Sequence, residues 1–379
     1  MFEILMNETQ KALRDSAKEF TAKEIIPNCA KWDQEGKFPL DAYKKAFEIG
    51  LTTVGIPEEY GGMGMGLSEE VIIEEQLGYG DAGFAVSAEC NHLGTLGILM
   101  SGNEAMKQVA ADVLRRGGFA SFALTEADAG SDAAAIRTTA VKDGDEYVIN
   151  GSKCFITNGG LADIYTVFAT MDKTKGHKGI AAFLVERDRP GVSVGKEEDK
   201  MGIRASNTTE VVFDNVRIPA DHLLVEEGKG FVHALNALNR TRAMGMAVAV
   251  GLMQRALDLS VEYAKTRVMF GKPIIKNQAI QFMLADMEIQ IQAARTMVWN
   301  ACNMIDKGQA DPGYGSCVKA FVGDAVMKVT TDAVQIFGGY GYSREYPVEK
   351  LMRDAKIWNI FEGTAQIQRI TIASGLMRK

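Results

Sequence analysis

The hydrophobic periodicity of this chain changes twice, and that alternation restricts the fold more than any single motif. From residue 7 to about 116, apolar residues return at near-helical spacing, as at Leu13, Ala17, Phe20 and Ile25, with breaks at Pro57 and Gly61-Gly62-Met63-Gly64. From about 118 to 228 the texture becomes short β-rich runs at 146–149, 165–168, 182–185 and 210–213. Asp143-Gly144, Asn150-Gly151 and Asn158-Gly159-Gly160 punctuate these runs as hairpin or loop signals. After Gly230 the helical pattern returns, with no proline between Phe231 and Gly271. Met283, Met287, Ile291, Ala294, Val298, Ala301 and Ile305 then lie on one stripe at spacings of three and four, and helices this long pack in bundles. The two switches predict an α+β chain in three parts: an α-helical domain over 1–117, a small antiparallel β-sheet or barrel over 118–228, and an α-helical bundle over 229–379.

At 379 residues the chain exceeds the size at which one core keeps growing, and 46% hydrophobic with 24% charged residues is an ordinary globular composition. No apolar run approaches the roughly 20 residues that span a bilayer. The opening residues 1–8 lack the basic flank and apolar core of a secretory leader, so the expected location is the compartment of synthesis, the cytoplasm. A net charge of -7 argues against a nucleic-acid partner, which needs a basic face. Cys29, Cys90, Cys154, Cys302 and Cys317 form no Cys-x-x-Cys pair and suit reduced thiols, not a disulfide or zinc framework. His92, His177, His222 and His233 are scattered, so no metal site is expected and any chemistry falls to carboxylates, hydroxyls or a bound cofactor.

Near the end stands Trp358-Asn359-Ile360-Phe361-Glu362-Gly363-Thr364-Ala365-Gln366-Ile367-Gln368, a lone carboxylate among apolar and aromatic residues. Folded with little water around it, Glu362 gains proton affinity, which suits a general base. The same residues also read as a helix start, with Thr364 as the cap and Ile367 and Ile370 on the apolar face. Gly61-Gly62-Met63-Gly64-Met65-Gly66 and Gly338-Gly339-Tyr340-Gly341 look like dinucleotide loops only superficially, since neither sits between a buried strand and a helix. Both are read as turns where backbone passes close to something.

Five segments, in order, carry a resemblance across essentially the whole chain. They are Phe122-Ala123-Leu124-Thr125-Glu126-Ala127-Asp128-Ala129-Gly130-Ser131-Asp132, Asn150-Gly151-Ser152-Lys153-Cys154-Phe155-Ile156-Thr157-Asn158-Gly159, Arg267-Val268-Met269-Phe270-Gly271-Lys272-Pro273, Gln335-Ile336-Phe337-Gly338-Gly339-Tyr340-Gly341-Tyr342, and the stretch around Glu362. With these the chain resembles the acyl-CoA dehydrogenase family. The resemblance implies a C-terminal four-helix bundle and an FAD between the β-domain and the C-terminal helices. It implies that Phe122, Leu124, Thr125, Phe155, Ile156 and Thr157 line the flavin, with Ser131, Thr364 and Gln366 among the cofactor contacts. Arg267, Phe270, Gln278, Gln335, Gly338 and Gly339 resemble residues that reach the FAD of a neighbouring subunit, which implies a homotetramer. Ser131, Asn239, Arg242 and Gly363 match positions that touch acyl-CoA.

The resemblance further implies oxidation of a saturated acyl-CoA to the trans-2-enoyl-CoA, with Glu362 removing the α-proton and electrons passing from FAD to an electron-transfer flavoprotein. The wording of the motifs is nearest to bacterial butyryl-CoA dehydrogenases, which implies a short acyl chain. Three positions depart from the commoner pattern: Asn239 replaces aspartate, Phe361 replaces tyrosine, and Thr241 stands where some relatives carry the base. Asn239 also resembles the pattern of glutaryl-CoA dehydrogenases. An enoyl-CoA reductase, a glutaryl-CoA or aryl-propanoyl-CoA dehydrogenase, and a non-catalytic or DNA-binding member of the fold are the rival readings.

Overall fold

The computed structural model describes residues 6–378; residues 1–5, on which most of the leader reading falls, and residue 379 lie outside them. Helix α1 (Glu8–Phe20) begins where Asn7 and Gln10 cap each other, Gln10 N donating to Asn7 Oδ1 at 2.8 Å and Asn7 N to Gln10 Oε1 at 3.0 Å. Its apolar stripe continues through a wide π-type turn, Thr21–Ile25, which accounts for the five-residue step from Phe20 to Ile25. Helices α2 (Cys29–Glu35), α3 (Leu40–Glu48), α4 (Leu67–Gly80), α5 (Ala82–Leu99) and α6 (Glu104–Arg115) complete the first part. α4 and α5 are buried nearly all round, because the C-terminal helices cover one and the sheet covers the other.

Eight strands follow: β1 (Ala120–Ala123), β2 (Thr139–Asp143), β3 (Glu146–Thr157), β4 (Ile164–Thr170), β5 (Ile180–Glu186), β6 (Val192–Glu197), β7 (Thr208–Pro219) and β8 (Leu223–Val225). They form one sheet in the order β6-β7-β3-β2-β4-β5-β8, with β1 added beside β4. The pairings are antiparallel except where β1 and the edge of β2 run parallel to β4. The four β-rich runs of the sequence are β3, β4, β5 and β7. The others escape a pattern search because β1 and β8 are very short and because β2 and β6 keep most side chains exposed.

Helices α7 (Gly230–Thr266), α8 (Gln278–Asp306), α9 (Pro312–Phe337), α10 (Val348–Ala355) and α11 (Ala365–Leu376) form the last part, and a two-residue ribbon, β9 (Val268–Met269) with β10 (Lys272–Pro273), turns the chain from α7 to α8. The α8 stripe is buried at Met287, Ile291, Ala294, Val298 and Ala301, and Met283 and Ile305 pack at its margins. α7 is long and apolar enough to cross a membrane, but most of that apolar window is buried inside the fold. It lies backbone-close on α4: a Cβ added to Gly251 would fall 1.9 Å from Glu75 O, and one on Gly78 would fall 2.4 Å from Val248 O. That contact fixes where α7 presents its site residues.

The three parts meet at a buried ion cluster. Lys350 of α10 stands 2.8 Å from Asp81 and 2.5 Å from Asp354. Asp81 caps α5 by accepting from Phe84 N at 2.8 Å, and Asp354 accepts from Ile203 N at 2.6 Å, where the β-region loop has a positive φ of 45°. Lys350→Met removes the charge that both buried carboxylates face, and the expected loss is about 3–5 kcal/mol. Chemical denaturation at neutral pH measures it; a loss below about 1 kcal/mol, the scale of an exposed pair, would show that the cluster does not join the parts.

Candidate active site

Glu362 lies in the turn between a 3-10 segment (Lys356–Asn359) and α11. The helix-start reading holds, since Thr364 Oγ1 accepts from Ile367 N at 3.3 Å as the cap, and Glu362 precedes it with its carboxylate oxygens buried. Ile370, expected on the buried face, is 60% exposed. Glu362 and Gly363 are consecutive left-handed residues, with φ of 51° and 85°. Such a conformation is strained for glutamate and must be held by its surroundings. Gln368 Nε2 holds it from below, donating to Glu362 O at 3.2 Å and Gly363 O at 3.1 Å. Trp358 anchors the other end, fully buried with Nε1 donating to Gly245 O of α7 at 3.1 Å, and Phe361 packs edge-on against it.

Both carboxylate oxygens of Glu362 are shut off from solvent, and no donor among the described residues bonds either. Burial raises its proton affinity above the ordinary carboxylate value; Arg242 on α7 and Lys319 on α9 pull the other way. Arg242 is itself buried and donates to Asn239 Oδ1 at 2.5 Å, so the neutral amide at 239 orients this guanidinium. Thr241 points away, its hydroxyl reaching Ala237 O at 3.4 Å, and offers no second base.

Helix α5 joins this centre to the β-region through Glu89 and Cys90. The Glu89 carboxyl is pushed well up by burial and by the charges of Glu362, Glu74 and Glu70. The neighbouring Cys90 thiol faces Thr157 at the end of β3, and burial together with Glu89 and Glu362 holds its proton on. Glu89 was not singled out from the sequence, although it is the one carboxylate in the apolar run of α5, a signal that was available.

The β-region residues form a rim. Cys154 N donates to Thr125 O at 3.0 Å and Ser121 Oγ to Thr157 O at 2.9 Å, which draws the 121–126 stretch against β3. Phe122 packs on Phe168, Leu124 is buried, and Ile156 lies in the sheet core with only its backbone toward the rim. Phe155 sits at a register break of β3 with a φ of 55° and is 64% exposed, while Ser131 is exposed on the following loop. Beneath the rim the wholly buried Lys153 donates to Leu124 O at 3.0 Å and to Glu126 Oε1 at 2.7 Å. Glu126 also accepts from Arg137 N at 2.6 Å and Thr138 N at 3.0 Å, so it ties the whole loop to β3.

A third group stands apart. Arg267, at the end of α7, places its guanidinium 5.3 Å from the Tyr340 ring, beside Gly338 and Gly339. Phe270 is 95% exposed, and Gln278, Gln335, Gly338 and Gly339 are exposed around it. The glycines at 338 and 339 have open space where a Cβ would stand, whereas a Cβ on Gly62 would fall 2.0 Å from Ile56 O and one on Gly341 2.5 Å from Val334 O, so the close-approach reading holds for the first loop and, in the second, at Gly341 alone. No hydrogen bond or ion pair among the described residues joins this group to the rim. Gln366 is exposed on the first turn of α11.

A buried carboxylate with no bonded donor among the described residues suits proton transfer, and the sequence comparisons give the class of the site. Residues 7–117, 121–216 and 228–377 match the N-terminal, middle and C-terminal domains of acyl-CoA dehydrogenase. The Mycobacterium tuberculosis protein "Probable acyl-CoA dehydrogenase FadE25" is 45% identical over 373 residues, 98% of this chain and 96% of that one. The solved butyryl-CoA dehydrogenase of Megasphaera elsdenii is 42% identical with a TM-score of 0.96, covering 98% of this chain and 99% of its own. A structure described as the electron transferring flavoprotein of Acidaminococcus fermentans gives 42% identity and a TM-score of 0.96, covering 99% of each chain. The chain belongs to the acyl-CoA dehydrogenase family, whose members are FAD-dependent oxidoreductases.

The residues present fit FAD. An exposed aromatic held at positive φ costs of order 1–3 kcal/mol and persists at ligand clamps; Phe155 is such a residue, and Arg267 has the planar fork that suits a pyrophosphate. Phe122, Leu124, Thr125, Phe155 and Thr157 would hold the flavin, and FAD supplies a two-electron acceptor when bound. Because Glu126 is a hub of three hydrogen bonds, Glu126→Gln is expected to weaken FAD retention about tenfold or more through loss of a buried charge-assisted bond. The reduction rate per bound flavin should stay within a few-fold. Equilibrium dialysis of FAD checks the first point; unchanged retention would show that the Lys153–Glu126 tie does not shape the rim.

Proposed function

We propose that this chain oxidises a short saturated acyl-CoA to its trans-2-enoyl-CoA, with Glu362 as the base that takes the α-proton. The observation that carries the reading is the Glu362 carboxylate, buried, without a hydrogen bond, and next to Thr157 across Cys90. A carboxylate in that state is a far stronger base than one in water. An α-proton beside a thioester is still a very weak acid, so negative charge developing on the thioester oxygen has to be stabilised. The backbone N–H of Glu362 donates to nothing among the described residues and supports this role. Asn239, Arg242 and Gly363 border the same space, and Ser131 lies on the loop that follows the rim.

A short acyl chain is supported by the likeness to butyryl-CoA dehydrogenase. Electrons leave to an electron-transfer flavoprotein. The exposed apolar residues Val268, Met269, Phe270, Phe282 and Tyr342 support assembly of four copies. Five free thiols accord with a cytoplasmic setting.

An anaerobic panel of acyl-CoAs, followed by loss of flavin colour, tests the reading. Butyryl-CoA should reduce the flavin faster than octanoyl-, palmitoyl-, glutaryl- or aryl-propanoyl-CoA. Faster reduction by any of the others overturns the substrate assignment, and no reduction by any acyl-CoA overturns the activity. The reaction needs ionised Glu362, whose folded proton affinity is raised by burial, so the rate should rise with pH through a midpoint above the ordinary carboxylate value. A midpoint at that ordinary value would place the base in water.

A further inference from the structure

Lys319, on the second turn of α9, is wholly buried, and its ammonium makes one hydrogen bond among the described residues, to Trp358 O at 2.6 Å. One helical turn further on, Gly323 completes the seat. Its carbonyl accepts from Asn359 Nδ2 at 3.0 Å, and a Cβ there would fall 2.9 Å from Trp358 O. From the opposite side Trp358 Nε1 is bonded to α7 at Gly245. The turn that carries Glu362 is therefore hung between α7 and α9, with a buried cation gripping its backbone.

A buried ammonium with one neutral acceptor leaves two donors unmet, and that is costly unless an anion stands close. A methionine of similar length would fill the same space without that cost, so packing alone does not account for a lysine. The anion present is Glu362, which itself has no bonded donor. We propose that Lys319 is a positioning residue for the reaction: it fixes the turn that bears Glu362 and places a buried positive charge that opposes protonation of that carboxylate. The proposal rests on Glu362 being the base.

The charges around the pair are few. Arg242 from α7, Lys319 from α9 and Glu89 from α5 face Glu362, and Glu362, Arg242 and Asp324 face Lys319. Arg242 has already committed a guanidinium bond to Asn239, while burial pulls Lys319 down to about 8 with Glu362 and Asp324 opposing. Lys319 is thus still protonated at neutral pH. Loss of its charge makes Glu362 bind its proton more tightly, so the pH at which the base becomes available rises.

Two variants separate grip from charge. Lys319→Met removes both, and Lys319→Gln keeps a donor for Trp358 O but no charge. In each, the carboxyl infrared band of Glu362, taken as the difference from the same protein carrying Glu362→Gln, is titrated in the FAD-loaded enzyme without substrate. The midpoint is expected to rise by at least about one pH unit in both variants, and the acid limb of butyryl-CoA-driven flavin reduction should rise with it. If the methionine variant does not fold, the glutamine variant alone decides. A midpoint within about 0.3 unit of the parent in a folded variant overturns the proposal. Because the infrared titration needs no substrate, its failure is distinguishable from failure of the dehydrogenase reading, which the acyl-CoA panel tests.

Discussion

The site depends on one electrostatic fact, the removal of the Glu362 carboxylate from water without a compensating hydrogen bond from any described residue. Left alone, such a group would simply hold its proton. Arg242 and Lys319 approach from α7 and α9 and limit that tendency, so the carboxyl is poised between a neutral acid and an ionised base. Glu89 pushes the other way, and its own proton affinity is raised by burial and by Glu362. Two buried carboxyls that cannot both ionise cheaply, beside two buried cations, make the proton affinity of the base a property of the packing of α5, α7 and α9.

That packing explains why so much of the chain is needed to hold one side chain. The left-handed Glu362-Gly363 pair persists because Trp358, Asn359 and Gln368 tie it to α7, α9 and α11. α7 keeps its place because glycines let it lie backbone-close on α4, and the Lys350 cluster locks the first helical part and the β-region against α10. The rim on the β-region obeys the same logic, with Lys153 and Glu126 buried together beneath Leu124 and Thr125. In each case a buried charge satisfied by a few partners fixes an exposed functional surface.

The fold was legible because the switch from 3.6-residue to two-residue periodicity and back is a local property of the sequence. So was Glu362, a lone charge in an aromatic stretch; the hydrogen bond that joins Arg242 to Asn239 was not. The strands β2 and β6 were not, because their side chains are mostly exposed and carry no alternation strong enough to read. Glu89, Lys319 and Lys153 were missed as site residues for a different reason: whether an isolated charge in an apolar run is buried is decided by elements distant in sequence. Glu89 and Lys319 nonetheless stand in apolar helical runs, Lys319 between Val318 and Ala320, and a lone charge in such a setting is the signal to look for; Lys153, after Asn150-Gly151-Ser152, carries no such signal. Arg267 and the Gly338-Gly339 turn were legible as a group, and the structure brings them together through Tyr340, away from the rim.

The most direct test of the account is the reductive half-reaction of Glu362→Gln, loaded with FAD and mixed anaerobically with butyryl-CoA. The amide keeps shape and polarity but cannot take the α-proton, and Thr241 offers no substitute. The account predicts a fall at or beyond the upper end of the about 10²–10⁴-fold range typical of a general base, with FAD and acyl-CoA binding largely kept. Retention of more than about a tenth of the parent rate, a smaller loss than removal of a base gives, would contradict it and assign the proton to another residue.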